Sequence, residues 1–305
     1  MDNNCYKKVA GVQIPKIFND ENFRSAVKYV PRDGDLYIVT YPKCGTSWMQ
    51  YIVCSILTRG DPPSNVVDLN AMAPFIDVCG AEIAENHERT GPVVTHIPFT
   101  MLRPSERAKY IYVARNPYDC AVSCYHFMKG FIPKTTGDVL FESFLPKFTG
   151  GMLAYGDYFD HVLPWYNLRE EANVLFLTYE KLKADTAGQI FRIADFIGSE
   201  HGAMLRDNEA MLSKVLDSCS IESMKKIHND DPVERVMKLS SFSSSASTSG
   251  DEDRKVTPLE SRLEGSGFIR KAIVGDWKNY FTGELVGHTK SWIEKKCKTS
   301  AIMQL

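Results

Sequence analysis

Short, uniformly apolar runs alternate along this chain with longer segments whose apolar residues recur at helical spacing. LYIVT (36–40) is a compact apolar run that fits a strand buried on both faces. TSWMQYIVCSIL (46–57) follows it and predicts a helix with Thr46 and Ser47 in its first turn. PVVTHI, in the 93–98 region, predicts a second strand and KYIYVA (109–114) a third. DCAVSCYHFMK (119–129) then predicts a helix, NVLFLTY (173–179) a fourth strand, and KLKADTAGQIFRIADFIG (181–198) a further helix. Repeated strand–helix alternation implies an α/β fold, a parallel sheet flanked by helices on both faces. The whole chain, 1–305, is read as a single domain.

Beyond about residue 210 the pattern changes. SSFSSSASTSGDEDRK (240–255) is polar and low in complexity, with too little apolar surface to offset its ordering entropy. A mobile Ser-rich loop is expected at about 238–258, within the domain, because GFIRKAIVGDWKNYF (267–281) is again apolar and basic.

Composition excludes several classes. Apolar residues make up 44% and charged residues 24%, close to the soluble globular average. A net charge of −2 supplies no global basic field for nucleic acid, so any anion site must be a local cluster. No stretch reaches the roughly 20 apolar residues needed to span a bilayer, and MDNNCYKKVAG lacks the apolar core of a signal peptide. A cytoplasmic protein without membrane contact is expected. The eight scattered cysteines include no C-x-x-C pair and are read as free thiols; Cys120 and Cys124, one helical turn apart, fit two small residues facing a core.

In open parallel sheets, ligands sit outside the C-terminal strand ends. The turn YPKCGTSW (41–48), Thr95-His96, Arg115 and Tyr179 all fall at or just past such ends. The turn combines Lys43, Gly45, Thr46 and Ser47 at a helix start, where unpaired N–H groups and the helix dipole favour an anion. Helix capping alone would explain a hydroxyl, not the lysine and glycine with it. Lys43 precedes Gly45, however, whereas the P-loop lysine follows its last glycine. Arg115 can reach an anion across the sheet edge, Ser123 lies two helical turns further on, and Arg270-Lys271 could form a second basic arm. His96 is placed to take a proton from an acceptor hydroxyl, although a lone histidine among apolar residues is more often a packed one.

These residues resemble a known family. TYPKCGTSW, THIP, YVARNPYDCAVSCYHF, Tyr179-Glu180 and FIRKAIVGDWK occur in the order found in the cytosolic sulfotransferases, over nearly the whole chain. The resemblance implies a P-loop-like 5′-phosphosulfate loop and the donor 3′-phosphoadenosine 5′-phosphosulfate (PAPS), with adenosine 3′,5′-bisphosphate (PAP) as product. It assigns Lys43 to the leaving phosphate and the sulfuryl group, and the turn Lys43-Cys44-Gly45-Thr46-Ser47 to the 5′-phosphate. Trp48, Tyr179, Ser220 and Ile221 would border the adenosine. Arg115, Ser123, Arg270, Lys271 and Ala272 would hold the 3′-phosphate. His96 would be the general base of an in-line displacement, and no metal is implied. Phe18, Phe75 and Phe127 would line the acceptor pocket beside His96, which suits a small phenol or phenolic monoamine. Asp77 or Glu82 could pair with an amine.

The chain departs from the family pattern at four places. Val94 stands where a lysine is usual, which shifts sulfuryl charge onto Lys43. Cys219-Ser220-Ile221 replaces T-S-F. Ala272 replaces a glycine and is expected to adopt an ordinary φ. Gly283 and Gly287 interrupt the dimer signature, which favours a monomer over a homodimer. The Ser-rich segment falls where a lid would cover the acceptor site, and is equally readable as a surface extension. Cys44, beside Lys43 at a helix start, is a candidate redox-sensitive thiol. The alternative to an enzyme is a non-catalytic adenosine-bisphosphate binder of the same family.

Overall fold

The computed structural model describes residues 5–86, 89–132, 134, 137–228, 230–240 and 268–298. Its centre is a four-stranded sheet of β3 (Leu36–Thr40), β4 (Val93–Thr95), β5 (Lys109–Ala114) and β6 (Val174–Thr178), ordered β4-β3-β5-β6 and parallel throughout. Two earlier strands, β1 (Tyr6–Val9) and β2 (Val12–Pro15), form a separate antiparallel hairpin. Ala10 and Gly11 turn that hairpin at φ 50° and 89°, as a two-residue turn matched to strand twist requires.

Alternate residues of the sheet feed two cores, as strand geometry dictates. Tyr37, Val39, Tyr110 and Tyr112 point to one face and pack with Trp165; Ile38, Val94, Ile111 and Val113 point to the other. The second face is covered by the helices Thr46–Leu57 and Thr186–Ile197, the first by Phe141–Thr149 and Tyr158–Asn167. Helices therefore lie on both faces, as the sequence pattern predicts.

Two element boundaries differ from expectation. The single helix predicted over 181–198 is two, Tyr179–Ala184 and Thr186–Ile197, because Asp185 leaves helical geometry and caps the second by accepting the Gly188 N–H at 2.9 Å. β4 stops at Thr95, because the His96 N–H turns away to Asp77. The Ser-rich segment lies outside the described residues, apart from the end of the helix Pro232–Ser240.

Candidate active site

β3 ends at Thr40, and a tight turn leads into the helix Thr46–Leu57. The turn places two residues in the left-handed region, Lys43 at φ 68° and Gly45 at φ 103°. Only glycine adopts that conformation without strain, and a Cβ at position 45 would stand 3.0 Å from the Tyr179 ring. Gly45 is the N-cap and offers no side chain, so the helix start carries no side-chain cap. Gly45, Thr46, Ser47 and Trp48 all line one cavity of about 270 Å³.

Cations surround that helix end. Arg115, just past β5, donates from Nη1 to the Lys43 carbonyl (3.1 Å) and from Nη2 to the Ile273 carbonyl (3.3 Å). Its guanidinium lies 4.4 Å over the Tyr179 ring, and its buried Nε has no partner among the described residues. Lys43 Nζ donates to the Phe268 carbonyl at 3.2 Å and sits 4.0 Å over the Phe127 ring. Burial, with Arg115 nearby, lowers its pKa to about 8. Ser123, on the helix Pro117–Lys129, lines the same cavity. Asp119 on that helix accepts the Gly275 N–H (2.6 Å) and the Trp277 N–H (2.9 Å), which ties segment 268–279 to it. Arg270 and Lys271 line the cavity too, and both pair with Asp276, the lysine at 2.9 Å. Burial alone would raise the Asp276 pKa; hydrogen bonds from Lys271, Arg270 and Asn279 outweigh it and hold it at about 2. An uncapped helix start, an orphaned Arg115 Nε and four converging cations fit a nucleotide carrying more than one phosphate group.

His96 stands where the two ends of the cavity meet. Its Nδ1 lies 2.7 Å from the Thr40 carbonyl oxygen, which can only accept, so Nδ1 carries the proton and Nε2 keeps the lone pair. Its backbone is fixed twice: the N–H donates to Asp77 (3.0 Å), and the carbonyl accepts from His161 Nε2 (2.9 Å). The imidazole packs edge-on against Phe75 and Tyr155, with ring centroids 5.0 and 5.2 Å away. Burial lowers its pKa to about 3, so the neutral, basic form persists at ordinary pH.

The apolar end is walled by Phe18 and Phe75 (centroids 6.4 Å apart, edge-on), Leu153, Val236 and Leu239. Phe127 joins the lining but also meets Lys43 and Phe268, so it stands between the two ends. Val94 is buried and lines the cavity from the sheet.

Five expectations need correction. Cys44 points into the core, fully buried, with its sulfur 3.7 Å from that of Cys120 and its N–H on the Tyr41 carbonyl; a thiol so enclosed is no redox sensor for the turn. The Ser220 hydroxyl caps the helix Ile221–Ile227 through the Ser223 N–H and lies off the cavity, although Ile221 lines it. Asp77 is buried beneath His96, held by the Thr95 hydroxyl (2.5 Å) and the His96 N–H, and does not line the cavity. Glu82 is exposed and also lies off the cavity; no Asp or Glu is found among the described residues that line it, so an amine would meet no carboxylate there. Ala272 adopts φ 54°, the left-handed region rather than an ordinary φ. Lys43, Gly45, Thr46, Ser47, Trp48, Arg115, Ser123, Tyr179, Ile221, Arg270, Lys271 and Ala272 do share one cavity with His96, Phe18, Phe75 and Phe127.

Thr40 and Tyr155 around His96, Asp119 and Asp276 behind the C-terminal arm, and His228 and Arg235 in the wall were not legible in the sequence. Asp119, one helical turn before Ser123, was the most accessible signal, although an acid in a first helical turn is already favoured by the helix dipole and so does not by itself announce a second partner.

A family model described as a sulfotransferase domain matches residues 33–301. Sulfotransferase 1B1 of Mus musculus is 34% identical over 273 residues, 86% of this chain and 82% of its own length. Sulfotransferase 2A1 of Rattus norvegicus is 34% identical over 84% of this chain and 81% of its own. Among solved structures, mouse sulfotransferase SULT7A1 complexed with PAP superimposes with a TM-score of 0.70 at 26% identity, covering 98% of this chain and 96% of that one. With the uncapped cationic turn and the pinned histidine sharing one cavity, these matches establish that this chain belongs to the sulfotransferase family.

Proposed function

We propose that this protein transfers a sulfuryl group from PAPS to the hydroxyl of a small phenolic acceptor, with His96 as general base. The observation that carries the reading is the junction at His96: an imidazole pinned through Nδ1, neutral, and in the same cavity as Lys43 and an uncapped helix start. PAPS supplies an activated sulfuryl group whose departure leaves charge on a phosphate oxygen. Gly45, Thr46 and Ser47 hold the 5′-phosphate through helix-start N–H groups and hydroxyls. Arg115, Ser123, Arg270 and Lys271 hold the 3′-phosphate, with the two downstream cations shared with Asp276. Trp48 and Tyr179, edge-on at 5.5 Å, border the adenine together with Ile221. Lys43 balances charge at the leaving oxygen, a role that fixed charge in a water-poor site performs well. His96 Nε2 takes the acceptor proton, while Phe18, Phe75 and Phe127 orient the ring.

The cavity supports a phenol better than a phenolic monoamine, since no described lining residue is acidic. The chain is further read as a single domain, a monomer, and cytoplasmic; among the described residues no helix is long and apolar enough to cross a membrane.

Sulfuryl transfer from labelled PAPS to a panel of phenols, catecholamines and steroids tests the reading. His96→Ala is expected to lower kcat by roughly 10²–10⁴-fold while PAP binding is retained. Full activity of the variant would remove His96 as the base. Wild type that binds PAP but sulfates nothing would favour the non-catalytic binder.

A further inference from the structure

The wall of the cavity contains a buried guanidinium that carries no carboxylate among the described residues. Arg235, in the helix Pro232–Ser240, is only 5% exposed. Its Nη1 contacts His228 Nδ1 at 2.6 Å, while its Nε and Nη2 are buried with no partner among the described residues. Asp230 influences it electrostatically but is bridged to Lys238 at 3.6 Å and makes no hydrogen bond to Arg235. The cation lies 4.0 Å over the Phe268 ring, which softens its isolation without satisfying its N–H groups.

The contact with His228 fixes the histidine as well. A guanidinium can only donate, so Nδ1 accepts and Nε2 carries the hydrogen. His228 Nε2 is also buried and has no partner among the described residues. Burial, then Arg235 and Lys43, lowers the His228 pKa to about 3, which keeps the ring neutral. The pair therefore presents three nitrogen donors and no acceptor, and both residues line the cavity. A donor-only cluster buried this deeply is costly unless a ligand completes it.

The position selects the ligand. The helix of Arg235 buries Val236 and Leu239 in the same core as Phe18 and Val78, at the apolar end of the cavity. The Phe268 ring has Lys43 Nζ 5.8 Å from its centre and Arg235 at 4.0 Å, so the ring is common to both cations. The charge is thus close to the reacting end yet carried by the acceptor wall.

We propose that Arg235, with His228, is an anion-recognition element for the acceptor, and that the favoured acceptor is a phenol bearing a carboxylate on a short arm. This rests on the sulfuryl-transfer reading and narrows its substrate class.

Three acceptors differing only at the arm test it: 3-(4-hydroxyphenyl)propanoate, the corresponding amide, and 4-(3-aminopropyl)phenol. Wild type should show the highest kcat/KM for the acid and the lowest for the amine. Arg235→Met should reduce kcat/KM for the acid by roughly 10–100-fold, the range of one charge-assisted hydrogen bond, and leave the amide nearly unchanged. Arg235→Lys should recover part of the loss. Calorimetric binding of acid and amide to the PAP-loaded protein makes the same comparison without turnover. Acid preferred in binding but no transfer to any acceptor would sink the transfer reading and keep the anion site. Equal use and binding of acid and amide by wild type would overturn the proposal and leave transfer standing. Equal losses on acid and amide in Arg235→Met would overturn it too, by assigning Arg235 to the donor or to folding. Thermal unfolding separates those two: removal of an unpartnered buried cation should raise Tm, and a lowered Tm would mean that Arg235 has a structural partner and no free donors to offer.

Discussion

The two ends of the cavity are built by different means. The cationic end, proposed for the donor, is organised by the backbone: a left-handed lysine and glycine and an uncapped helix start, around which cations follow strands or close the chain over them. The apolar end, proposed for the acceptor, is almost all side chain: Phe18 from beyond β2, Phe75 beside β4, Tyr155 from a turn, and Val236 and Leu239 from a late helix. Phosphate groups recur in many ligands and are met by N–H groups that any sequence possesses once the chain turns correctly. An acceptor is met by shape, which needs particular side chains from distant segments. His96 joins the two because its ring donates a hydrogen bond to the end of β3 while its backbone is held by Asp77 and His161.

The division can be tested by asking whether damage stays on one side. Away from His96 itself, the largest expected effect is at the apolar wall. Phe75→Ala removes a ring 5.0 Å from the His96 centroid and should raise acceptor KM by roughly 10–100-fold, in line with the burial value of an aromatic side chain. PAP affinity, measured by calorimetry, should be unaffected; a parallel loss would show that the ends are not separable. Gly45→Ala is the reverse experiment. A left-handed alanine costs about 1–2 kcal/mol, before its contact with Tyr179; the free turn sheds that cost by relaxing and must regain the strained form to bind, so PAP should bind roughly 5–30-fold more weakly. Acceptor KM at saturating donor should hold.

A pH series sharpens the same boundary. Lys43 is charged below about pH 8 and loses its proton as pH rises through that value. PAP affinity should be full on the acid side and fall by up to about tenfold per pH unit above the break. Lys43→Arg should remove the break. His96 gains a proton only as pH falls through about 3, so it contributes no break near neutrality to kcat/KM. The smallest effect belongs to Ala272, held at φ 54°. Relief of that strain in Ala272→Gly, less the greater unfolded-state entropy of glycine, should raise stability by roughly 0.5–1 kcal/mol in denaturant unfolding. A loss of stability would mean that the methyl group packs productively.

Legibility followed the same division. YPKCGTSW could be read as an anion turn because a glycine, a lysine and two hydroxyls after an apolar run constrain one local geometry. The parallel sheet was readable because strands buried on both faces are apolar throughout. The split at Asp185 was missed because a lone Asp inside a helical pattern looks tolerable until its capping geometry is visible. Asp77 was misread because sequence shows a carboxylate near an acceptor pocket and not the direction of its oxygens. Burial raises its pKa to about 6, and it is held by the Thr95 hydroxyl and the His96 N–H. Cys44 was misread for a related reason: adjacent residues in a tight turn face opposite ways, Lys43 to the cavity and Cys44 to the core.

By itself the sequence determined the sheet, the lysine–glycine turn and the placing of a histidine and cations at the strand ends, because each rests on residues adjacent in the chain or on a short period. Tertiary structure alone decided which nitrogen of His96 is free, why Ala272 is strained, and that a buried arginine in the cavity wall has no carboxylate on it among the described residues. Those depend on partners dozens of residues away, and the pairing of polar groups across such distances is set by packing rather than by local pattern.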